Sequence, residues 1–209
     1  MVHWIAEKIK LTDLQKEGLE EIGNIGSGQS TDYISDIVKK KVEIKTPDMG
    51  VVPLSKSKKS LLDEFEKDEP IFNVFVPITG LNGGITVSLP KEQYIELIEL
   101  IENQIDEEYT LMELSEDIAK CYLEAVNNFL DESLGFGDGK VFYMPINTLL
   151  SYLSKNIINK KKSSEYDTDA LIINTDFEIS DNIEGKIILI VDIIQIERLT
   201  DALDQLLKI

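Results

Sequence analysis

Histidine and cysteine are nearly missing from this 209-residue sequence, which has one of each, His3 and Cys121. A single cysteine permits no internal disulfide. One histidine leaves no His/Cys cluster for a transition metal, and at position 3, near the N-terminus, it is poorly placed as the base of a Ser-His-Asp hydrolase. Basic residues are also scarce, 21 against 39 acidic ones, giving a formal charge of −18 that repels nucleic-acid phosphates and anionic lipid surfaces. Long apolar runs are absent. No stretch approaches the roughly 18 residues of a membrane span, and Met1 to Lys8 lacks an apolar run of signal-peptide length. These absences lead to the expectation of a cytoplasmic protein with neither nucleic acid nor membrane as partner and no transition-metal site of its own. Hydrophobic residues make up 43%, enough to bury a sizeable core.

One order of elements recurs along the chain. Apolar residues at Leu14, Ile22, Ile25, Ile34, Ile37 and Val38 predict a first helix between Leu11 and Lys40, with Thr12 or Asp13 as N-cap. Strand-like pieces follow at Val42–Pro47 and Val51–Leu54, then a charged loop with room for a short helix from Lys56 to Glu69. Ile71–Ile78 and Gly84–Leu89 flank a Gly/Asn turn and predict a hairpin, after which Pro90 opens an amphipathic helix to about Gln104. The order then returns. A helix is expected over Leu114–Leu134, a strand around Val141–Ile146, a polar insertion over Ser151–Thr168, a hairpin from Ala170 to Ile193, and a helix over Gln195–Leu207. Pro47 and Pro145, and likewise Gly84 and Gly185, serve as matched markers of the two halves. The expected fold is α/β, an internally duplicated domain spanning residues 1–209. Each half, about 11–105 and 111–209, supplies helix, strand, β-hairpin and helix about a pseudo-twofold axis.

The segment Glu21-Ile22-Gly23-Asn24-Ile25-Gly26-Ser27-Gly28 is poorly suited to the helix that its flanks predict. Each glycine costs roughly 0.8–1 kcal/mol relative to alanine inside a helix, so close packing or function must hold the segment helical. Glu21 and Asn24 stand at i and i+3 and share one face beside the Ile22/Ile25 stripe. Alone, such a pair is far more often a solvated face than a site. A phosphate cradle built on the glycines is disfavoured, since no predicted strand precedes them and the Gly-Lys-Ser/Thr of a P-loop is missing.

In these residues the sequence resembles the CheC/CheX/FliY family of chemotaxis phosphatases, and CheC most closely. The family carries Glu-Ile-Gly-Asn-Ile-Gly-x-Gly on a helix, in a pattern of Asp or Ser, three residues, Glu, two residues, Asn, and a proline 21 or 22 residues later. Glu21, Asn24 and Pro47 fit with 22 residues intervening, while Glu17 stands where the family has Asp or Ser. The resemblance implies hydrolysis of the aspartyl phosphate of the response regulator CheY. Asn24 would orient the attacking water, Glu21 would pair with a regulator lysine, and Glu17 and Pro47 would support the motif. It further implies that Mg²⁺ is supplied in the regulator's active site, that CheD is a second partner, and that the protein is monomeric. A non-catalytic chemotaxis module or CheD-binding scaffold is the alternative, and the length leaves no room for the additional motor domain of FliY. In the second half, anchoring on Leu134-Gly135-Phe136 sets Asp117 against the Glu and Lys120 against the Asn, so that copy is expected to be disabled. Glu124-x-x-Asn127 lies too close to Pro145 to fit the pattern, leaving one site.

Overall fold

The computed structural model describes residues 11–53, 69–104, 110–155, 169–180 and 182–207. The charged stretch expected to loop after Leu54 and most of the polar insertion before Thr168 lie outside them, as does His3. Within the described chain the first half contributes α1 (Asp13–Val38), β1 (Val42–Ile44), β2 (Asp48–Pro53), β3 (Ile71–Thr79), β4 (Gly83–Leu89) and α2 (Lys91–Glu102). The second contributes α3 (Leu111–Leu130), β5 (Gly135–Phe136), β6 (Lys140–Met144), α4 (Ile146–Leu153), β7 (Asp169–Ile179), β8 (Ile183–Asp192) and α5 (Ile196–Leu207).

Both long helices begin in the same way. Thr12 and Thr110 each accept the backbone N–H three residues on, and Gln15 and Glu113 reach back to the cap N–H, forming two capping boxes. Both also end alike, on a left-handed residue, Lys39 at φ 52° and Asp131 at φ 53°. Gly80, at φ 96°, makes the turn between β3 and β4, a conformation that costs glycine little.

All the strands join one eight-stranded sheet whose central path runs β1-β7-β8-β4-β3-β5, with β2 also on β7 and β6 also on β3. Every pairing is antiparallel. The scheme is unchanged when the halves are exchanged. Ile44 pairs with Phe177 as Phe136 pairs with Ile78; Asp48 pairs with Asn174 as Lys140 pairs with Phe75; Ile85 pairs with Leu189 as Val87 pairs with Ile187. Each half thus lends its first strands to the hairpin of the other, the arrangement that a twofold repeat of the expected element order generates.

The marker residues chosen from sequence do not occupy equivalent places. Pro47 precedes β2, whereas Pro145 follows β6 and caps α4. Gly84 lies against Phe75 on one face of the sheet and Gly185 against Phe177 on the other, a one-residue slip that inverts direction in a strand. Helix α4 is also a correction. The expected strand runs to about Ile146 and the expected polar insertion starts at Ser151, yet Ile146, Leu149, Leu150 and Leu153 repeat at helical spacing and are buried.

The larger core lies between one sheet face and α1, α2, α3 and α5, with Ile22, Ile34, Val74, Ile118, Tyr122 and Leu189 among its members. A smaller core under α4 gathers Phe75, Leu149, Ile172 and Ile188 on the opposite face. The glycines of α1 belong to the larger one. A Cβ on Gly26 would lie 2.5–2.6 Å from the Tyr122 ring, and one on Gly23 would lie 2.6 Å from Ile173 Cγ2 and 3.1 Å from Pro47 Cβ. Ser30 donates its hydroxyl to the Ile118 carbonyl at 3.1 Å across the same helix crossing, and Ser27 donates to Thr175 Oγ1 at 2.7 Å. Tyr122 is wholly buried, and burial pushes its phenol well above the usual tyrosine range. Among the described residues its hydroxyl has no partner of hydrogen-bonding geometry; the Ser27 hydroxyl, which donates to Thr175, lies beside it.

This packing predicts opposite effects for two small changes. Gly26→Ala, although it improves helix propensity, should destabilise the protein by about 1–3 kcal/mol because the methyl overpacks the Tyr122 ring. Tyr122→Phe should leave stability equal or higher, since it removes a buried hydroxyl without a partner. Urea unfolding of both variants checks the pair.

Candidate functional site

The tight seat of α1 decides which of its side chains face water. Leu19, Ile22, Gly23, Gly26, Ser27, Ser30 and Ile34 are buried, while Glu17, Glu21 and Asn24 are exposed on the opposite face and Gly28, one turn beyond Asn24, continues it. Asn24 donates from Nδ2 to Glu21 Oε2 at 3.3 Å. That contact is long and solvated, so it orients the two groups toward each other without tying them together. Glu17, the position that departs from the family pattern, makes no side-chain hydrogen bond to a described residue but adds a carboxylate one turn before Glu21.

Pro47 lies buried between β1 and β2 with its ring directly against Gly23. It braces the turn of α1 that carries Glu21 and Asn24, with Ile173 of β7 on the same glycine. Sequence reasoning missed Ile173, which lies about 150 positions from the motif. No local pattern marks such a contact. Two clefts, one lined by Glu43, Lys45, Asp176 and Lys186 and the other by Asp131, Glu132, Arg198 and Asp201, include neither Glu21 nor Asn24. An acid and an amide on a protruding helix can hold no small substrate alone, but they can enter a cavity of another protein. Among the described residues no group of three or more His, Cys, Asp or Glu is placed to hold a metal ion.

The second half uses its corresponding surface differently. The left-handed caps Lys39 and Asp131 and the first strands of each half, ending at Ile44 and Phe136, are both 92 positions apart. At that spacing the counterparts of Glu21 and Asn24 are Glu113 and Glu116, one helical turn before the expected Asp117 and Lys120. The anchor Gly135-Phe136 misled because it is strand β5 rather than the helix end. Glu113 is spent in the capping box, where hydrogen bonds from the Thr110 hydroxyl and N–H hold its carboxyl below the usual range. Glu116 accepts the Gly139 N–H at 2.8 Å. Asp117 accepts the Tyr33 hydroxyl at 2.6 Å, and Lys120 is exposed. Asn127, set aside from sequence as a coincidental motif, pins a loop: its amide donates to the Leu134 carbonyl at 2.7 Å and accepts the Leu134 N–H at 2.8 Å.

A family model described as the CheC-like family matches residues 19–51, the segment from α1 through Glu21, Asn24 and Pro47 into β2. Solved structures share the fold. FliY from Thermotoga maritima superposes with a TM-score of 0.68 at 16% identity, covering 93% of this chain and 98% of that one. The middle domain of FliM from H. pylori does so at 0.59 and 10% identity, covering 92% and 99%. A chain of the FliG–FliM complex from H. pylori gives 0.52 at 11% identity, covering 89% and 98%. The resemblance to the CheC/CheX/FliY family is therefore shown, in sequence at the motif and in fold over most of the chain. Because the chain spans nearly all of that FliY structure, length does not separate the two. No described helix is long and apolar enough to cross a membrane.

The loop pin and the exposed amide should respond differently to truncation. Asn127→Ala should cost about 1–3 kcal/mol by leaving both backbone groups of Leu134 without their partner. Asn24→Ala should hold or gain stability, alanine being the better helix former at an exposed position. Thermal and urea denaturation of the two variants side by side provide the check.

Proposed function

We propose that this protein is a phosphatase of the chemotaxis response regulator, hydrolysing the aspartyl phosphate of CheY through one site on α1. The observation that carries the reading is the outward display of Glu21 and Asn24 on a glycine-rich helix braced by Pro47, within the segment matched by the CheC-like family. Hydrolysis of an aspartyl phosphate passes through a loose transition state, in which placing water in line matters more than a strong base. An amide suits that task. Its oxygen accepts a hydrogen bond from the water and leaves the oxygen lone pair directed at phosphorus; the water O–P bond forms as the aspartyl O–P bond breaks. The products are a free carboxylate and inorganic phosphate, with the water's proton passing to phosphate or solvent.

Glu21 supplies the docking charge. On approach to a lysine of the regulator, its carboxylate exchanges the long contact from Asn24 for an ion pair, freeing Asn24 Nδ2. The regulator's own carboxylates hold Mg²⁺, so the reacting constellation is complete only in the complex. Asp13, Glu17, Glu20, Asp32 and Asp36 add negative charge along α1, which favours a basic docking surface. CheD is a second candidate partner. A non-catalytic switch or scaffold module is the competing reading, and the likeness to FliM is what favours it. Only the phosphatase reading gives Asn24 a task beyond solvation.

Decay of phosphorylated CheY, followed with and without this protein and with and without CheD, decides between them. Acceleration without phosphorylation of this chain is expected; an unchanged rate under both conditions favours the scaffold. Asn24→Ala should lower turnover by roughly 10²-fold with little change in half-saturation. Glu21→Ala should chiefly raise the half-saturating concentration and flatten its dependence on salt.

A further inference from the structure

Helix α1 contains four glycines, and the structure accounts for three of them. A Cβ on Gly18 would lie 2.8 Å from Leu203 Cδ2, one on Gly23 2.6 Å from Ile173, and one on Gly26 2.5 Å from Tyr122. At Gly23 and Gly26 the neighbours are a β-branched side chain, a proline ring and an aromatic ring that cannot easily give way, and at Gly18 the tip of Leu203 fills the space. Gly28 is the exception: a Cβ built on it meets no described atom within 4 Å. The helix therefore keeps a residue that weakens it at a place where no described residue crowds a side chain. Nor does the backbone conformation call for glycine, since positive φ among the glycines occurs only at Gly80. Gly28 lies four residues after Asn24, on the same helical face and next above it.

We infer that Gly28 is a positioning residue of the docking surface, kept bare so that the backbone of the partner's active-site loop reaches van der Waals contact with α1 and Asn24 enters to its working depth. The inference rests on the proposed docking of the response regulator on this face. The geometry gives it a clear consequence. A side chain at position 28 stands beside Asn24 on the outward surface and holds a rigid partner away by its own thickness, and a displacement of about 1 Å at a water-orienting group can cost on the order of 10²-fold in rate. A methyl group should act weakly and a leucine strongly, without harm to the fold of this chain.

The test compares Gly28→Ala and Gly28→Leu with Glu96→Ala, an exposed change on α2 that serves as control. Melting temperature, steady-state dephosphorylation of CheY, and affinity for CheY activated with beryllofluoride are measured for each. The expected result is a melting temperature equal to or above that of the unmodified protein for both Gly28 variants. Dephosphorylation efficiency should fall in the order glycine, alanine, leucine, by at least tenfold for leucine, while Glu96→Ala is unchanged. Full efficiency in Gly28→Leu, together with loss of activity in Asn24→Ala, overturns the role of Gly28 and leaves the phosphatase reading intact. If the unmodified protein binds activated CheY without dephosphorylating it, weaker binding by Gly28→Leu sustains the docking inference alone, and unchanged binding overturns it. No binding by the unmodified protein overturns both. A lowered melting temperature in both Gly28 variants also overturns it, because position 28 would then be occupied space within the fold.

Discussion

The close crossing of α1 over α3 is the constraint on which the rest of the site depends. Gly26 lets the Tyr122 ring lie flush on the helix, Ser30 bonds the Ile118 carbonyl across the same crossing, and Gly23 admits Pro47 and Ile173. Together these contacts fix the rotation of α1 about its own axis. One residue of helix advances the side-chain direction by about 100°, so a helix seated one residue out of place would turn Asn24 toward the core. The glycines cost local helix stability of roughly 0.8–1 kcal/mol each, offset by burial of a whole tyrosine ring and the apolar side chains around it. Unfavourable local propensity and favourable tertiary packing are here two sides of one arrangement.

That arrangement has two distinct consequences. Facing inward, it joins the halves, because α3 and β7 both belong to the second half and both touch the motif-bearing turn of the first. Facing outward, it leaves a ridge of Glu17, Glu21, Asn24 and Gly28, apart from the two described clefts. An exposed, acidic, amide-bearing helix face is a poor receptor for a small molecule and a good insert for a partner's cavity. The chemistry it proposes to perform needs neither a strong base nor a bound metal of its own, which fits a chain with one histidine.

Much of this was legible in the sequence, for reasons that differ by element. The helices α1, α2, α3 and α5 and both hairpins were readable because periodicity, a capping residue at Thr12 and a Gly/Asn turn agree locally. Helix α4 was lost because a proline and an apolar run directly after a strand look like more strand. The correspondence between the halves slipped by one helical turn because it was anchored on isolated prolines, glycines and a Leu-Gly-Phe segment whose local roles differ between the two copies. Caps and strand registers carry the equivalence, and strand register is a tertiary property. The acid and amide of the site were readable by their i, i+3 spacing and family pattern. Their support was not, since Ile173 and Tyr122 reach α1 from distant parts of the chain, and only coordinates distinguish Gly28 from the three glycines that packing requires.

The central claim is that the outward ridge of α1, and not its counterpart on α3, meets the activated response regulator. Mapping backbone amide chemical-shift changes on ¹⁵N-labelled protein during titration with beryllofluoride-activated CheY tests it most directly. The account predicts the largest changes at Glu17, Glu21, Asn24 and Gly28, with Glu113, Glu116 and Lys120 unmoved. Changes confined to α3 or α5, with the α1 ridge silent, would contradict it.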